Sequence, residues 1–209
     1  MKERAILLDR DGTLVEPRHY PTRPEELHVF DGIDAPLRRL QTAGFRLALI
    51  TNQGGLAHGY FSADQLERMH DHLTAELAGR GVRLDAIYYC PHHPAGVVPE
   101  LARDCDCRKP QPGMLLRAAA DLELDLQRSW FVGDILDDIE AGRRAGCRTV
   151  LVDLGTESLP ELALRTPEFV ARDTAHALRL IAAVERLGPA EELDYRPARW
   201  AALHERVAR

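Results

Sequence analysis

Long hydrophobic runs are absent from this sequence, which contains no apolar stretch of about 18 residues, the length that a membrane-spanning helix needs. The first residues, MKERAILLDRDG, pass from charge into a short apolar run that ends in acidic residues. This pattern differs from the apolar core of a secretory signal peptide. We therefore expect a soluble protein of the cytoplasm that does not associate with a membrane.

Positive charge is also scarce. The formal net charge is -6 at pH 7, the 27 basic residues are dispersed along the chain, and lysine occurs only at Lys2 and Lys109. Proteins that bind duplex nucleic acid carry concentrated basic patches, so we expect no nucleic-acid partner. An anionic substrate would need positive charge that is supplied locally at its binding site. We expect the chain to act as a monomer.

The size of the chain indicates one domain. Its 209 residues, 45% of them hydrophobic, suffice for one sizeable core but are short for two full domains. We expect this domain to cover residues 1–187. Residues 188–209 begin with a Gly-Pro pair, which interrupts helices, and continue with the pattern of a short amphipathic helix. We interpret them as a C-terminal extension.

Short apolar runs alternate with helical patterns along the chain. The runs, rich in Val, Ile, Leu and aromatic residues, predict buried strands at 5–9, 45–51, 86–90, 129–134 and 148–153. Helices are predicted at 33–43, after the Ser62–Gln65 capping box, and at 114–122, 137–145 and 174–187. Repeated strand-helix units predict a Rossmann-like parallel sheet with helices on both faces. Polar residues that end its strands, Asp9, Thr51 and Asp134, should lie at one edge, where such sheets bind ligands.

The stretch LLDRDGTLVE places two carboxylates at alternate positions after the first strand. Asp9 and Asp11 are followed by Gly12, which permits a sharp turn. The two side chains could share a metal ion or a reacting group. The alternative is an ordinary strand that ends in an Asp-Gly turn, and the motif alone does not decide between the two.

Two further strands end in polar residues. The stretch LITNQGG places a hydroxyl and two amides, from Thr51, Asn52 and Gln53, where they could hold an oxyanion. The stretch FVGDILDD ends in Asp134, and Asp137 follows in the first turn of a helix. For Asp137 we favour a plain electrostatic role at the helix N-terminus.

Together these motifs resemble those of the haloacid dehalogenase superfamily: D-x-D-G-T-L at the first strand, Thr at the second, Lys before the fourth and G-D-x-x-x-D after it. Within that superfamily, the stretches LLDRDGTL, TNQGGLAHGYFS, YYCPHHPAG and CDCRKPQPGML resemble heptose bisphosphate phosphatases and, less closely, histidinol-phosphate phosphatases. The resemblance spans residues 5–155. The chain departs from the family pattern at Gly54, usually Ser, and at His58, usually Arg, and both positions bear on sugar specificity.

The resemblance implies a Mg2+-dependent phosphomonoesterase that forms an aspartyl-phosphate. A carboxylate that attacks a phosphate dianion needs a cation and fixed donors to neutralise charge. By analogy with the family, Asp9 is the nucleophile and Asp11 is the general acid and base, while Thr51 and Lys109 hold the phosphoryl oxygens. The same analogy assigns Mg2+ to the carboxylates of Asp9 and Asp134 and to the backbone carbonyl of Asp11.

The remaining expected site residues surround this centre. Asn52, Gln53 and Arg108 are predicted to bind the substrate, a small phosphorylated metabolite and most simply a sugar bisphosphate. The planar guanidinium of Arg108 suits a second phosphate group. Asp138 is expected to support the Mg2+ site by contacting the metal ligands instead of the ion.

A second metal site is indicated by Cys90, His92, Cys105 and Cys107. Cys90 and His92 are two positions apart, as are Cys105 and Cys107, and 12 residues separate His92 from Cys105. Three thiolates and an imidazole satisfy a tetrahedral structural zinc ion. Because Cys107 lies two residues before Lys109, zinc would also brace the lysine.

Other interpretations of these residues stay open. The thiols could be core cysteines, could form a disulfide or could include a catalytic cysteine, and His93 could replace His92 as the ligand. Cys147 precedes a strand and is expected to lie in the core.

The two long connections are too short for a cap domain of ordinary size. They cover residues 14–30 and the segment between the third strand and Lys109. We therefore expect an open site. Substrate choice should depend on residues 15–30, on residues 53–61 and on the segment between the third strand and Lys109, which contains the zinc-ligand candidates.

Four other functions compete with a sugar bisphosphate phosphatase. Histidinol phosphate is the second substrate candidate. A polynucleotide 3'-phosphatase shares similar motifs but needs a basic channel, which is not evident. A phosphotransferase would share every catalytic residue. A zinc-stabilised binding module leaves unexplained why Asp, Thr, Lys and Asp recur at four strand ends.

Overall fold

A computed structural model describes residues 2–195 and 197–200. In this part of the chain six strands form one parallel sheet in the order β3-β2-β1-β4-β5-β6. The strands are β1 (Arg4–Leu8), β2 (Phe45–Asn52), β3 (Ala86–Cys90), β4 (Trp130–Gly133), β5 (Arg148–Val152) and β6 (Phe169–Ala171). The predicted parallel α/β sheet is confirmed.

Four α-helices connect the strands within the described residues, and a fifth follows β6. They are α1 (Asp34–Thr42), α2 (Ala63–Gly79), α3 (Gly113–Asp121), α4 (Leu136–Ala145) and α5 (Thr174–Val184). Helix α2 begins at the predicted capping box, in which the Ser62 hydroxyl accepts from the Gln65 N–H and the Gln65 side chain accepts from the Ser62 N–H. None of the described helices combines the length and the apolar character that crossing a bilayer requires.

Helices cover both faces of the sheet because successive strand residues point to opposite sides. On β1, Ile6 and Leu8 join a core that contains the apolar stripe of α2, whereas Ala5 and Leu7 join a second core with residues of α3. Strand β1 is therefore buried on both faces and has β2 and β4 as neighbours. Because β1 is held on both sides and on both faces, the positions of the residues that follow its carboxyl end are fixed as well.

The connections in which a cap domain could be inserted are loops. Residues 9–33 contain one 3-10 turn, Pro24–Glu26, and isolated bridges, and residues 91–112 contain neither helix nor strand. The prediction of a fold without a large cap domain is confirmed.

The C-terminal segment lies against the domain as far as Trp200. This residue is buried in a cluster with residues of α4, β5 and β6, and its indole Nε1 donates to Asp153 Oδ2 over 2.9 Å. The described part of the predicted extension contains the 3-10 turns Ala190–Asp194 and Ala198–Trp200. Residues 196 and 201–209, which include much of the predicted amphipathic helix, lie outside the described residues. The division into a domain and an extension stays a prediction.

Candidate active site

The carboxyl ends of β1, β2 and β4 meet at one edge of the sheet. The chain runs from β1 to β2 and β3 on one side and then returns to β4 on the other side of β1. Asp9 directly follows β1, Asp134 directly follows β4, and Thr51 lies at the end of β2. Parallel sheets bind ligands at the point where the strand order reverses in this way, because no connection between strands covers that point.

Three carboxylates converge at this edge. Oxygens of Asp9, Asp134 and Asp138 lie within 4.8 Å of one another, and all three residues are buried. Burial and the neighbouring carboxylates raise the pKa of Asp9 to about 7, although the positive charge of Lys109 opposes this shift. Burial and the negative charges of Asp9 and Asp138 raise the pKa of Asp134 to about 8. Buried carboxylates this close repel one another unless a cation lies between them. The cluster therefore fits a divalent ion with oxygen ligands, such as Mg2+.

Two glycines create the space for these carboxylates. A Cβ at Gly12 would lie 2.3 Å from Asp134 Oδ2, and the φ of Gly12 is +83°, which favours glycine. A Cβ at Gly133 would lie 2.3 Å from Asp138 Oδ2. The glycines of D-x-D-G and G-D-x-x-x-D thus allow the backbone to approach the acidic side chains closely.

Lys109 supplies a buried positive charge. Its Nζ donates to Asp9 Oδ1 over 2.5 Å and to the Ile50 carbonyl over 2.9 Å, and it lies 2.6 Å from Asp138 Oδ1. Burial alone would lower the pKa of Lys109, but the carboxylates of Asp138 and Asp9 outweigh this effect and raise it. The side chain is therefore a cation at neutral pH.

The amides of Asn52 and Gln53 are engaged by protein groups. Asn52 Oδ1 accepts from the Lys109 N–H over 3.0 Å, and Asn52 Nδ2 donates to the Lys109 carbonyl over 3.2 Å. Gln53 Nε2 donates to Thr51 Oγ1 over 2.8 Å and to Asp11 Oδ2 over 3.3 Å. These contacts orient catalytic candidates, while direct substrate binding by the two amides stays a prediction.

Sequence reasoning missed two partners of the catalytic candidates. Asp138, expected only to support the metal site, also forms an ion pair with Lys109. Arg10 is almost fully buried and forms hydrogen bonds with the carboxylate of Asp11. Its place between two aspartates in D-R-D was the available signal.

The four zinc-ligand candidates form a second cluster. Ligand atoms of Cys90, His92, Cys105 and Cys107 lie within 4.8 Å of one another, with sulfur-sulfur distances of 3.2 to 3.5 Å. Ligands at about 2.3 Å from a tetrahedral zinc ion are roughly 3.7 Å apart, which is close to this spacing. All four cysteines of the chain are free, and Cys147 is buried in the core as expected.

His92 is the histidine that faces the thiols. Its Nδ1 lies 3.4 Å from Cys107 Sγ, whereas Nδ1 of His93 accepts from the Ala95 N–H over 3.2 Å. Burial and the charge of Arg103 lower the pKa of His92, which favours the neutral imidazole that binds metals. Burial and a hydrogen bond with Cys107 raise the pKa of Cys90. Ionisation of the Cys90 thiol would therefore need a cation such as zinc.

The cysteine cluster connects directly to the carboxylate cluster. The Arg108 N–H donates to Cys105 Sγ over 3.3 Å, and Arg108 Nη1 donates to the His92 carbonyl over 3.2 Å. The next residue is Lys109, whose side chain reaches Asp9. Any ion that fixes the cysteine cluster therefore also fixes the backbone that carries the lysine.

The three predicted substrate loops meet in an aromatic cluster. The ring of His58 lies 4.5 Å from that of His93 and 5.2 Å from that of Tyr60, and the ring of Tyr60 lies 4.7 Å from that of Tyr20. A Cβ at Gly54 would lie 3.3 Å from both Arg108 Nη1 and His93 Cδ2. The two departures from the family pattern, Gly54 and His58, thus lie in direct contact with the loop that carries the cysteine cluster.

Comparisons with known proteins agree with this geometry. Residues 106–177 match the HAD-hydrolase-like family model. The D-glycero-beta-D-manno-heptose-1,7-bisphosphate 7-phosphatase of Pasteurella multocida is 43% identical over 86% of this chain and 97% of its own length, and that of Escherichia coli is 45% identical over 75% and 83%. The crystal structure of D,D-heptose 1,7-bisphosphate phosphatase from B. bronchiseptica, complexed with magnesium and phosphate, shares 34% identity and a TM-score of 0.72, and the match covers 85% of this chain and 97% of that one.

Proposed function

The chain belongs to the heptose-1,7-bisphosphate 7-phosphatase family of haloacid dehalogenase-like hydrolases, and we propose that it is a Mg2+-dependent phosphomonoesterase that removes the 7-phosphate of D-glycero-D-manno-heptose 1,7-bisphosphate. The observation that carries the proposal is the close approach of Asp9 to Lys109 and to the carboxylates of Asp134 and Asp138. A nucleophilic carboxylate, a buried cation and a divalent metal site together fit the attack of one anion on another.

In the first half of the reaction, an Asp9 oxygen attacks phosphorus while the bond from phosphorus to the ester oxygen breaks. Asp11 gives its proton to the leaving oxygen, so that the sugar departs as an alcohol. The Lys109 ammonium and the Thr51 hydroxyl donate to the phosphoryl oxygens as their charge redistributes. The product of this half is an aspartyl-phosphate at Asp9.

In the second half, the Asp11 carboxylate takes a proton from a water molecule. The oxygen of that water attacks phosphorus, and the bond from phosphorus to Asp9 breaks. Inorganic phosphate leaves, Asp9 is a carboxylate again, and Asp11 is again protonated. The buried Lys109 ammonium stabilises the restored Asp9 carboxylate through the ion pair between them.

Two metal ions have separate duties in this proposal. Asp9, Asp134 and the Asp11 carbonyl would hold Mg2+, which would supply charge neutralisation for the incoming phosphate. Asp138 supports the site through its contacts with Lys109 and with the other acids. Cys90, His92, Cys105 and Cys107 form a closed set of four ligands that suits a structural zinc ion.

The substrate assignment rests on the relatives and on Arg108. Both curated relatives described above are named for the heptose bisphosphate, which belongs to carbohydrate metabolism. Arg108 adjoins the lysine that holds the transferring group, so its guanidinium can bind the phosphate that is retained. The free cysteines agree with a reducing compartment such as the cytoplasm, and we keep the expectation of a monomer.

Phosphate release with three compounds tests the proposal. Heptose 1,7-bisphosphate, histidinol phosphate and a 3'-phosphorylated oligonucleotide are each supplied with Mg2+, and both anomers of the sugar are compared. We expect the bisphosphate to give the highest kcat/KM and phosphorus NMR to show a 1-phosphate product. A preference for histidinol phosphate or for the oligonucleotide would reject the substrate, and no release from any of them would reject the phosphatase itself.

A further inference from the structure

We propose that Arg10 is a positioning residue that holds the Asp11 carboxylate in the orientation required for proton transfer. The proposal rests on the proposed function, in which Asp11 is the general acid and base. Arg10 lies between the two aspartates of the first motif, and its side chain is enclosed by the protein instead of reaching solvent. It does not touch the reacting phosphate and acts through Asp11.

The guanidinium of Arg10 grips Asp11 at two points. Nε donates to Oδ2 over 3.0 Å and Nη2 donates to Oδ1 over 3.1 Å, while Nη2 also lies 2.8 Å from Oδ2. Two parallel donors on two oxygens fix the plane of a carboxylate as well as its position. A lysine would supply the charge without fixing the plane.

Gln53 supplies a third donor to the same carboxylate. Its Nε2 lies 3.3 Å from Asp11 Oδ2 and is itself held by Thr51 Oγ1 over 2.8 Å. Arg10 and Gln53 are both buried, whereas the Asp11 side chain keeps 28% of its surface exposed. The carboxylate is thus anchored from the protein side, and its exposed part faces outward, where a substrate can arrive.

The burial of Arg10 is costly for the fold. A guanidinium that leaves water needs a charged partner and a hydrogen bond for each donor. Arg10 has its carboxylate, but Nη1 is buried without a hydrogen-bond partner among the described residues. An apolar side chain would fill this place without leaving a donor unpaired, so the arginine is better explained by its action on Asp11 than by packing.

The leaving group of a phosphate ester determines how strongly its hydrolysis depends on the contact between Arg10 and Asp11. A sugar alkoxide is a poor leaving group and needs the Asp11 proton as the bond from phosphorus to oxygen breaks. The nitrophenolate of p-nitrophenyl phosphate leaves with little need for that proton. A carboxylate that is wrongly oriented therefore slows formation of the aspartyl-phosphate far more for the sugar phosphate than for the aryl phosphate, whereas its effect on the later hydrolysis is the same for both.

The test compares Arg10→Gln and Arg10→Lys with the unchanged protein on heptose bisphosphate and on p-nitrophenyl phosphate. For Arg10→Gln we expect kcat/KM, which reports the reaction up to release of the alcohol, to fall about 100-fold on the sugar and less than about fivefold on the aryl ester. Arg10→Lys should recover part of the loss. Equal losses on both substrates in both variants would overturn the proposal. If Arg10→Gln does not fold, Arg10→Lys alone decides.

Two further variants separate this proposal from its premise. Ile181→Ala weakens the buried side of α5 and should leave the ratio of the two kcat/KM values unchanged, although it lowers the melting temperature. Asp11→Asn should show the same selective loss, and adding Arg10→Gln to it should change the ratio little. An unselective Asp11→Asn would reject the acid role itself. A selective Asp11→Asn with unselective Arg10 variants would reject only the role of Arg10.

Discussion

Asn52 holds the backbone of Lys109 from both sides. Its carbonyl oxygen accepts from the Lys109 N–H over 3.0 Å, and its amide nitrogen donates to the Lys109 carbonyl over 3.2 Å. The contact joins the end of β2 to the loop that carries the cysteines. The lysine is thus fixed by a residue of the sheet as well as by its own loop.

Replacement of Asn52 by Ala should therefore misplace the lysine. We expect kcat to fall about 10- to 100-fold with little change in the free energy of unfolding. Gln41→Ala is a matched control, because the Gln41 amide makes the same pair of contacts with the Arg83 backbone on the surface. Steady-state kinetics with heptose bisphosphate measure both variants. Similar kcat values in the two would contradict the bracing role.

The cysteine cluster should contain about one zinc ion per chain after dialysis, as measured by elemental analysis. Cys107→Ser should lose zinc, melt at a lower temperature and turn over more slowly, because the segment next to Lys109 is released. Cys147→Ser changes a buried thiol outside the cluster and should keep both zinc and kcat. A folded, active protein without zinc would reject the structural site.

Asp9→Asn should abolish turnover, with kcat at least about 1,000-fold lower, since an amide cannot form the aspartyl-phosphate. Intact mass after acid quenching should show the phosphorylated protein before the change and not after it. Asp137→Asn, which alters an acid that pairs with Arg165, should keep its activity within about threefold. Activity of a few per cent in Asp9→Asn would end the proposal of a covalent intermediate.

Arg108→Ala should act on substrate binding. We expect KM for heptose bisphosphate to rise about 10- to 100-fold, and KM for a simple sugar monophosphate to rise less than about threefold. Arg117→Ala, an exposed pair with Asp121 on α3, is the control and should change neither value. Equal effects of Arg108→Ala on the two substrates would show that it does not bind the second phosphate.

His70 should make the protein less stable in acid. Burial and the charge of Arg10 lower the pKa of His70 to about 4, so between pH 6.5 and 4 the unfolded chain binds a proton that the folded chain does not. Stability should therefore fall as the pH drops through this range, by up to about 3 kcal/mol. Urea unfolding at several pH values should show a smaller fall in His70→Gln. His72→Gln, on the exposed side of α2, should retain the full dependence.

The strand ends were predictable because sequence patterns report burial directly. Apolar runs that stop at Asp9, Thr51 and Asp134 gave the sheet and the edge at which these residues lie. Strand β6, Phe169–Ala171, was missed because a run of three residues is too short to show a period. The parallel topology then followed from the alternation of strands and helices.

Contacts between distant loops could not be predicted in the same way. The Asn52–Lys109 contact joins residues 57 positions apart, and no local pattern encodes it. The choice of His92 over His93 depends on backbone direction after β3, because both positions fit the ligand spacing. Arg10 is buried and lies close enough to His70 of α2 for its charge to lower the pKa of that histidine, an arrangement that composition does not reveal.

The strand order also governs when the protein can begin to act during its synthesis. Strand β1, which directly precedes the proposed nucleophile Asp9, is made first, but one of its two neighbours in the sheet is β4, which is made only after β2, β3 and the cysteine loop. Asp134 and Asp138 follow β4, so a growing chain that stops within β4 has the proposed nucleophile without these acidic partners. We therefore expect that the nascent chain does not hydrolyse phosphate esters until more than half of it has left the ribosome.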